Sequence, residues 1–178
     1  MSAFNYLDGL DKRFSSESGS VLFNDVSNMR SLHFRVGQYD LLLPLNTSTE
    51  IISDIEYSPV PISRPWLLGI ASRRGQLLTL IDLKNFLFNA EPIKKISNKR
   101  IVTNNVGNIC LGLVVDQVIG LMNPNKNAIE SAYPDHWDNA LVNILSGVYQ
   151  ENETFFGVCD FEKLVTDERF AESNKIYN

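Results

Sequence analysis

Residues 66–83, WLLGIASRRGQLLTLIDL, place two short apolar runs on either side of a polar turn, a pattern that a β-hairpin satisfies with least strain. Leu67–Ile70 and Leu77–Ile81 are expected as strands buried on both faces, with Ser72-Arg73-Arg74-Gly75-Gln76 turning between them. Gly75 supplies the positive φ that tight hairpin turns demand. Two adjacent guanidinium groups resist burial, so Arg73 and Arg74 are expected to face water or a partner.

The same short-strand grammar recurs along the chain. Leu32, Phe34 and Val36 alternate with His33 and Arg35, and Gly37-Gln38 turns the chain into Tyr39–Leu45. Pro44 puts that second strand at an edge or at its own end. Pro59, Pro61 and Pro65 hold Tyr57–Pro65 extended and deliver Trp66 to the hairpin, as a core anchor or as an interface aromatic. Further strands are expected at Arg100–Asn104, Ile109–Asp116, Gln117–Met122, Leu141–Gln150 and Thr154–Cys159, with turn chemistry at Asn104–Asn108 and Glu151–Glu153. Asp82 is placed to cap a short helix, Leu83–Phe88, and Asp160 a closing helix from Phe161 towards Ile176. Ahead of this body, Phe4, Leu7, Leu10 and Phe14 have helical spacing, for a capping or a docking helix, and Ser15–Ser20 read as a linker.

One internal echo points to two similar units. LLTLIDLKNFL (77–87) and FFGVCDFEKLV (155–165) match in residue type at nearly every position, 78 residues apart. Each is a buried strand ending in aspartate, followed by a helix. Many short strands with few helices favour β-barrels over a parallel α/β sheet.

Composition narrows the function. A net charge of −5 and a pI near 5.0 argue against nucleic acid as partner. No apolar run approaches the ~20 residues of a membrane span, and residues 1–20 lack the pattern of a secretory signal, so a cytoplasmic protein is expected. Cys110 and Cys159, without CxxC spacing, are expected as reduced thiols. No metal spacing, nucleophile motif or phosphate-binding glycine loop is present, and no cofactor is expected. An enzyme would have to draw on Asp116, His136 or Cys159. Asp135-His136-Trp137-Asp138 sets carboxylates beside an imidazole, but adjacent residues seldom converge on one atom. The remaining alternative is a free-standing peptide-binding β-barrel.

The hairpin segment, with Pro59-Val60-Pro61 before it, resembles the CheW-like domain family. The shared pattern is a proline-rich approach, an apolar–Gly segment (Pro65–Gly69), a strand, a turn ending Arg74-Gly75, and a strand ending Asp82-Leu83. Leu111–Asp116, Leu145–Val148 and Val158–Val165 extend the resemblance over roughly residues 30–170. Ser72-Arg73 stands where the family usually has Asn-Leu, and Thr79 replaces a proline. The N-terminal addition and the Trp-Leu-Leu-Gly-Ile-Ala wording are most similar to PilI-type members, coupling proteins of the chemosensory systems of type IV pili and twitching motility.

The resemblance implies a mainly β fold of two small five-stranded SH3-like barrels on a shared core, with short helices. It implies an extension over 1–28, the domain proper over 29–172, and a tail over 173–178. The first barrel is then expected from about 30–88 plus 150–170, and the second from about 98–149. It further implies a non-enzymatic adaptor in a chemotaxis-like array, bridging the regulatory domain of a CheA-like histidine kinase to the cytoplasmic tip of a methyl-accepting chemoreceptor. A flagellar chemotaxis output is the alternative to the pilus. Protein contacts are expected at Glu50, Trp66, Gly69, Arg73, Arg74 and Gly75. Arg74-Gly75 fits the family's turn pair and Glu50 its acidic residue after the first strand pair, while Arg73 has no family counterpart.

Overall fold

The computed structural model describes residues 28–60 and 64–170. The expected N-terminal helix with Phe4, Leu7, Leu10 and Phe14 and its linker lie outside them, as does the expected end of the closing helix near Ile176; within them that helix runs only from Phe161 to Thr166 and stops at Asp167. Twelve strands run in chain order as β1 (Ser31–Val36), β2 (Tyr39–Pro44), β3 (Glu50–Ile52), β4 (Tyr57–Ser58), β5 (Leu67–Arg73), β6 (Gln76–Asp82), β7 (Arg100–Val106), β8 (Ile109–Val115), β9 (Gln117–Met122), β10 (Ile129–Glu130), β11 (Leu145–Glu151) and β12 (Thr154–Cys159). Among the described residues, short α-helices accompany them as α1 (Leu83–Phe88), α2 (Asn139–Val142) and α3 (Phe161–Thr166).

Asp82 and Asp160 cap α1 and α3 as expected. Asp82 accepts from the Asn85 N–H at 3.1 Å and also from the Ile93 N–H at 2.9 Å. Asp160 accepts from the Glu162 N–H at 2.9 Å. Each carboxylate satisfies an amide that a helix start leaves open.

The strands form two six-stranded sheets, ordered β10-β11-β12-β2-β1-β9 and β4-β5-β6-β8-β7-β3. Each consists of five longer strands and a two-residue edge strand, and each is the wall of a small barrel. Written in these orders the two sheets have the same topology. In both, an antiparallel hairpin (β1–β2 or β7–β8) pairs in parallel with the strand that precedes a capped helix (β12 or β6). Half one, β1–β6 with α1, and half two, β7–β12 with α3, are equivalent, yet each half sends its first two strands to one barrel and its last four to the other.

This exchange corrects the expected division into 30–88 plus 150–170 and 98–149. The first barrel is built from strands within 31–44 and 117–159, and the second from strands within 50–115. The chain crosses between sheets from β2 to β3 and again from β8 to β9. The echo of 77–87 in 155–165 is thus a real equivalence, with its two copies in different barrels.

Burial follows period two. Leu111 and Leu113 of β8, Ile81 of β6 and Val102 of β7 point towards the other sheet, where they join Leu32, Phe34, Leu41 and Leu145 in one shared core. The alternate residues Leu78, Leu80, Ile101 and Val114, with Ile52, Leu68 and Ala71, fill the second barrel. Such strands bury both faces, which is why they read as near-continuous apolar runs.

Asp116 pins the junction at the crossing into β9. Its carboxylate accepts from the Gly37 N–H at 2.8 Å and from Lys99 Nζ at 3.1 Å, and lies 3.7 Å from Lys84 Nζ. Partial burial pushes its carboxyl up, but the Gly37 hydrogen bond and the two lysines outweigh burial and hold it below the ordinary 3.8. A depressed carboxylate stabilises the fold above its unfolded value and ceases to as pH falls through the folded one. Asp116→Asn is therefore expected to lower the Tm at pH 7, and to lose less further Tm than the wild type on acidification from about pH 5 to 2. Parallel Tm–pH curves for the two proteins would contradict this role.

Candidate functional site

The β5–β6 hairpin is tighter than its sequence implies. Arg73 pairs with Gln76 as the last rung, leaving Arg74 and Gly75 as a two-residue turn with φ of 49° and 81°. Positive φ at both positions is the turn whose twist matches the flanking strands. Arg73 is thus a strand residue, and alternation puts it on the face of Ala71, which lines the second barrel.

Glu50 comes from the opposite edge of the same sheet. In a flat sheet, four strand steps separate β3 from β5, roughly 19 Å. Yet Arg73 donates to Glu50 Oε2 from Nη2 at 2.7 Å and from Nε at 3.1 Å. The sheet has curled until its edges meet, and this ion pair closes the barrel mouth. Below it, burial first and then the Glu50 charge push the Cys110 thiol up in pKa, with Arg73 opposing.

Arg74 adds one bond, from Nη1 to Glu50 Oε1 at 2.6 Å. Its side chain is 74% exposed against 32% for Arg73. The two arginines therefore differ in role. Arg73 locks the barrel end, and Arg74 is a surface cation whose single bond to Glu50 water or a partner can replace. On the outer face beside the turn, Leu77 is 71% exposed, and Ile70 and Ile109 are also exposed. Sequence reading missed this patch by treating Leu77–Ile81 as uniformly buried. Leu77 lies opposite exposed Ser72, one rung from the end of the ladder, and only pairing shows it to be beyond the core.

Two expected contact residues have other duties. Trp66 is buried, its ring edge-on to Phe86 at 5.1 Å and stacked with Phe170 at 5.8 Å, so it is a core anchor and not a surface aromatic. Gly69 lies at a bulge in β5, where a Cβ would run into the Ser58 carbonyl oxygen and Tyr57 of the paired edge strand β4. It admits β4 and presents nothing to a partner. The structure thus brings together Glu50, Arg73, Arg74 and Gly75, and leaves Trp66 and Gly69 as supports.

Of the residues of the enzyme alternative, His136 is exposed and the other two are committed elsewhere. Asp116 holds the Gly37 turn, and Cys159 is buried in the shared core, where burial and then the Asp160 charge drive its thiol pKa far up. Both cysteines are free thiols. Among the described residues no His, Cys, Asp and Glu cluster could hold a metal ion, and no helix is long and apolar enough to cross a membrane.

Comparison with known proteins agrees with this architecture. Protein PilI of Pseudomonas aeruginosa is 26% identical over 129 residues, covering 72% of this chain and 71% of its own length. Protein FrzA of Myxococcus xanthus is 28% identical over 140 residues, covering 76% and 84%. The crystal structure of the scaffolding protein TtCheW from Thermoanaerobacter tengcongensis shares the fold, with a TM-score of 0.64 at 20% identity over 75% of this chain and 89% of that one. The sequence profile of the CheW-like domain matches residues 30–169, and the chain belongs to that family.

Proposed function

We propose that this chain is a non-enzymatic, cytoplasmic adaptor that couples methyl-accepting chemoreceptors to a CheA-like histidine kinase in a chemotaxis-like array. Two barrels on one rigid core offer two faces, so kinase and receptor are held together. A change in receptor packing then shifts the kinase between its active and inactive arrangements, with the adaptor as the mechanical link. The observation that carries the reading is the barrel end itself: an exposed guanidinium, Arg74, beside an exposed aliphatic, Leu77, in a member of the CheW-like family. Charge-assisted hydrogen bonds next to apolar contact are the chemistry of an interface anchor. Similarity to PilI and FrzA supports a pilus-linked motility output over a flagellar one.

Arg74→Ala is expected to weaken binding of the kinase regulatory domain or of a receptor-tip fragment by about 1–3 kcal/mol, with the Tm unchanged. Isothermal titration of the purified pieces measures it, and unaltered affinity for both would remove Arg74 from the interface. Deleting the gene in its own organism is expected to abolish twitching and spare swimming. The opposite pattern would assign the flagellar pathway.

A further inference from the structure

The equivalence of the two halves continues upstream of their first strands. Gly37 and Gly107 turn the β1–β2 and β7–β8 hairpins, an offset of 70 residues that the pairing with β9 and β3 also keeps. At that offset residues 23–37, FNDVSNMRSLHFRVG, align with residues 93–107, IKKISNKRIVTNNVG. Ser-Asn, the arginine two places on and the closing Val-Gly are identical, and Phe23 and Val26 correspond to Ile93 and Ile96.

In the second barrel that upstream pair has a defined task. Ile96 is 6% exposed, in one cluster with Ile52, Leu68 and Leu80, and Ile93 packs against the same cluster. The Ile93 N–H donates to Asp82 Oδ2 at 2.9 Å. The segment thus closes that barrel beyond β3, over the start of α1.

At the first barrel's corresponding end the described residues leave the same positions uncovered. Met122, Ser146 and Asp160 correspond to Ile52, Leu68 and Asp82. The second barrel buries all three, whereas Met122 and Asp160 are half-buried and Ser146 is exposed. The α3 amides that Asp160 accepts both bond to its Oδ1, and its Oδ2 takes none from the described residues. Ser31 and Ser146 stand where the second barrel has Ile101 and Leu68, which leaves room for a phenylalanine in place of an isoleucine. The chain also enters at this end. Asn28 bridges Asn125, and the Met29 N–H donates to the Pro124 carbonyl at 2.9 Å, just past the end of β9. Lys99 differs in donating to the Ile96 carbonyl, so the first copy enters alongside the loop after β9 instead of turning on itself.

We propose that residues 23–26 of this chain close the first barrel as residues 93–96 close the second, with Phe23 and Val26 over Met122 and the Phe23 N–H on Asp160 Oδ2. The two side chains supply the apolar cover that this end lacks among the described residues. The donated amide completes a carboxylate that α3 uses only in part. The proposal does not depend on the adaptor reading.

Thermal melts and deuterium exchange of the full chain test this. Phe23→Asp with Val26→Asp is expected to lower the Tm by roughly 5 °C or more, and the milder Phe23→Ser by less in the same direction. In both variants amide exchange is expected to accelerate over Gln117–Met122 and in α3, and to stay unchanged over Glu50–Ile52 and in α1. Phe4→Asp with Leu7→Asp, an equal change of charge in the same tail, is expected to move neither readout. A Tm for the Phe23/Val26 variant within about a degree of the wild type, or acceleration equal in the two barrels, would overturn the proposal. So would wild-type exchange over Gln117–Met122 that accelerates on dilution, because the segment would then be covering a second copy.

Discussion

Gly69→Val leaves little folded protein: the expected loss is roughly 3 kcal/mol or more, near the top of what single substitutions do. The obstruction is backbone, not a flexible side chain, because the new Cβ meets the Ser58 carbonyl oxygen of β4. Relief requires β4 to leave the sheet, which uncovers Leu68 and Ala71 at the edge of the second barrel's core. The equivalent Gly147 of β11 meets Ile129 and Glu130 of β10, so Gly147→Val is expected to do the same to the first barrel. Gly75→Ala is the contrast. It has a φ of 81° but nothing within 4 Å of a Cβ, so only backbone strain of about 1 kcal/mol applies. Thermal melts followed by circular dichroism rank the three. A Gly69→Val melt within a few degrees of the wild type would refute the steric account.

Arg73→Ala is expected to cost about 1–2 kcal/mol of stability, a Tm lower by roughly 3–8 °C. It removes both hydrogen bonds to Glu50 Oε2 and opens the barrel mouth above Cys110. Arg74 retains Glu50 Oε1, which keeps the loss moderate. Arg74→Ala removes a mostly exposed partner and leaves the Tm in place. A second readout separates the mouth from global stability: modification of Cys110 by a thiol reagent is expected to accelerate in Arg73→Ala and not in Arg74→Ala. Equal melting temperatures and equal labelling rates for the two variants would show that the arginines are interchangeable.

Local chemistry was legible in the sequence, and long-range pairing was not. Period two over Leu32–Val36, the turn at Gly37 and the caps at Asp82 and Asp160 each depend on neighbours a few residues away, and each matches the structure. The composition of each barrel depends instead on which distant strand β2 and β6 choose as their parallel partners. No local pattern encodes that Leu41 lies beside Gly157 or Leu80 beside Gly112. The barrels were therefore expected from 30–88 plus 150–170 and from 98–149, and the exchange of the first two strands of each half went unseen. The echo between 77–87 and 155–165 was the available signal, since two equivalent units that each start in one sheet and finish in the other must interlock.

At the site the limit was one residue of turn length. A five-residue turn puts both arginines in solvent, whereas a two-residue turn folds Arg73 inward to Glu50 and leaves Arg74 outside. The family pattern singled out Glu50 and Arg74-Gly75, but their pairing and the division of labour between two arginines needed coordinates. Trp66 was ambiguous because an indole serves equally well in a core or at an interface, and its packing against Phe86 and Phe170 settles that.

The most direct measurement is a three-component capture. A receptor-tip fragment is immobilised, the kinase regulatory domain is offered in solution, and this chain is added or withheld. Retention of the kinase domain only when the chain is present is the expected result, with all three found together in the eluate. Competition instead of co-capture, in which the kinase domain displaces the chain from the receptor, or failure to bind either one, would contradict an adaptor held on two sides.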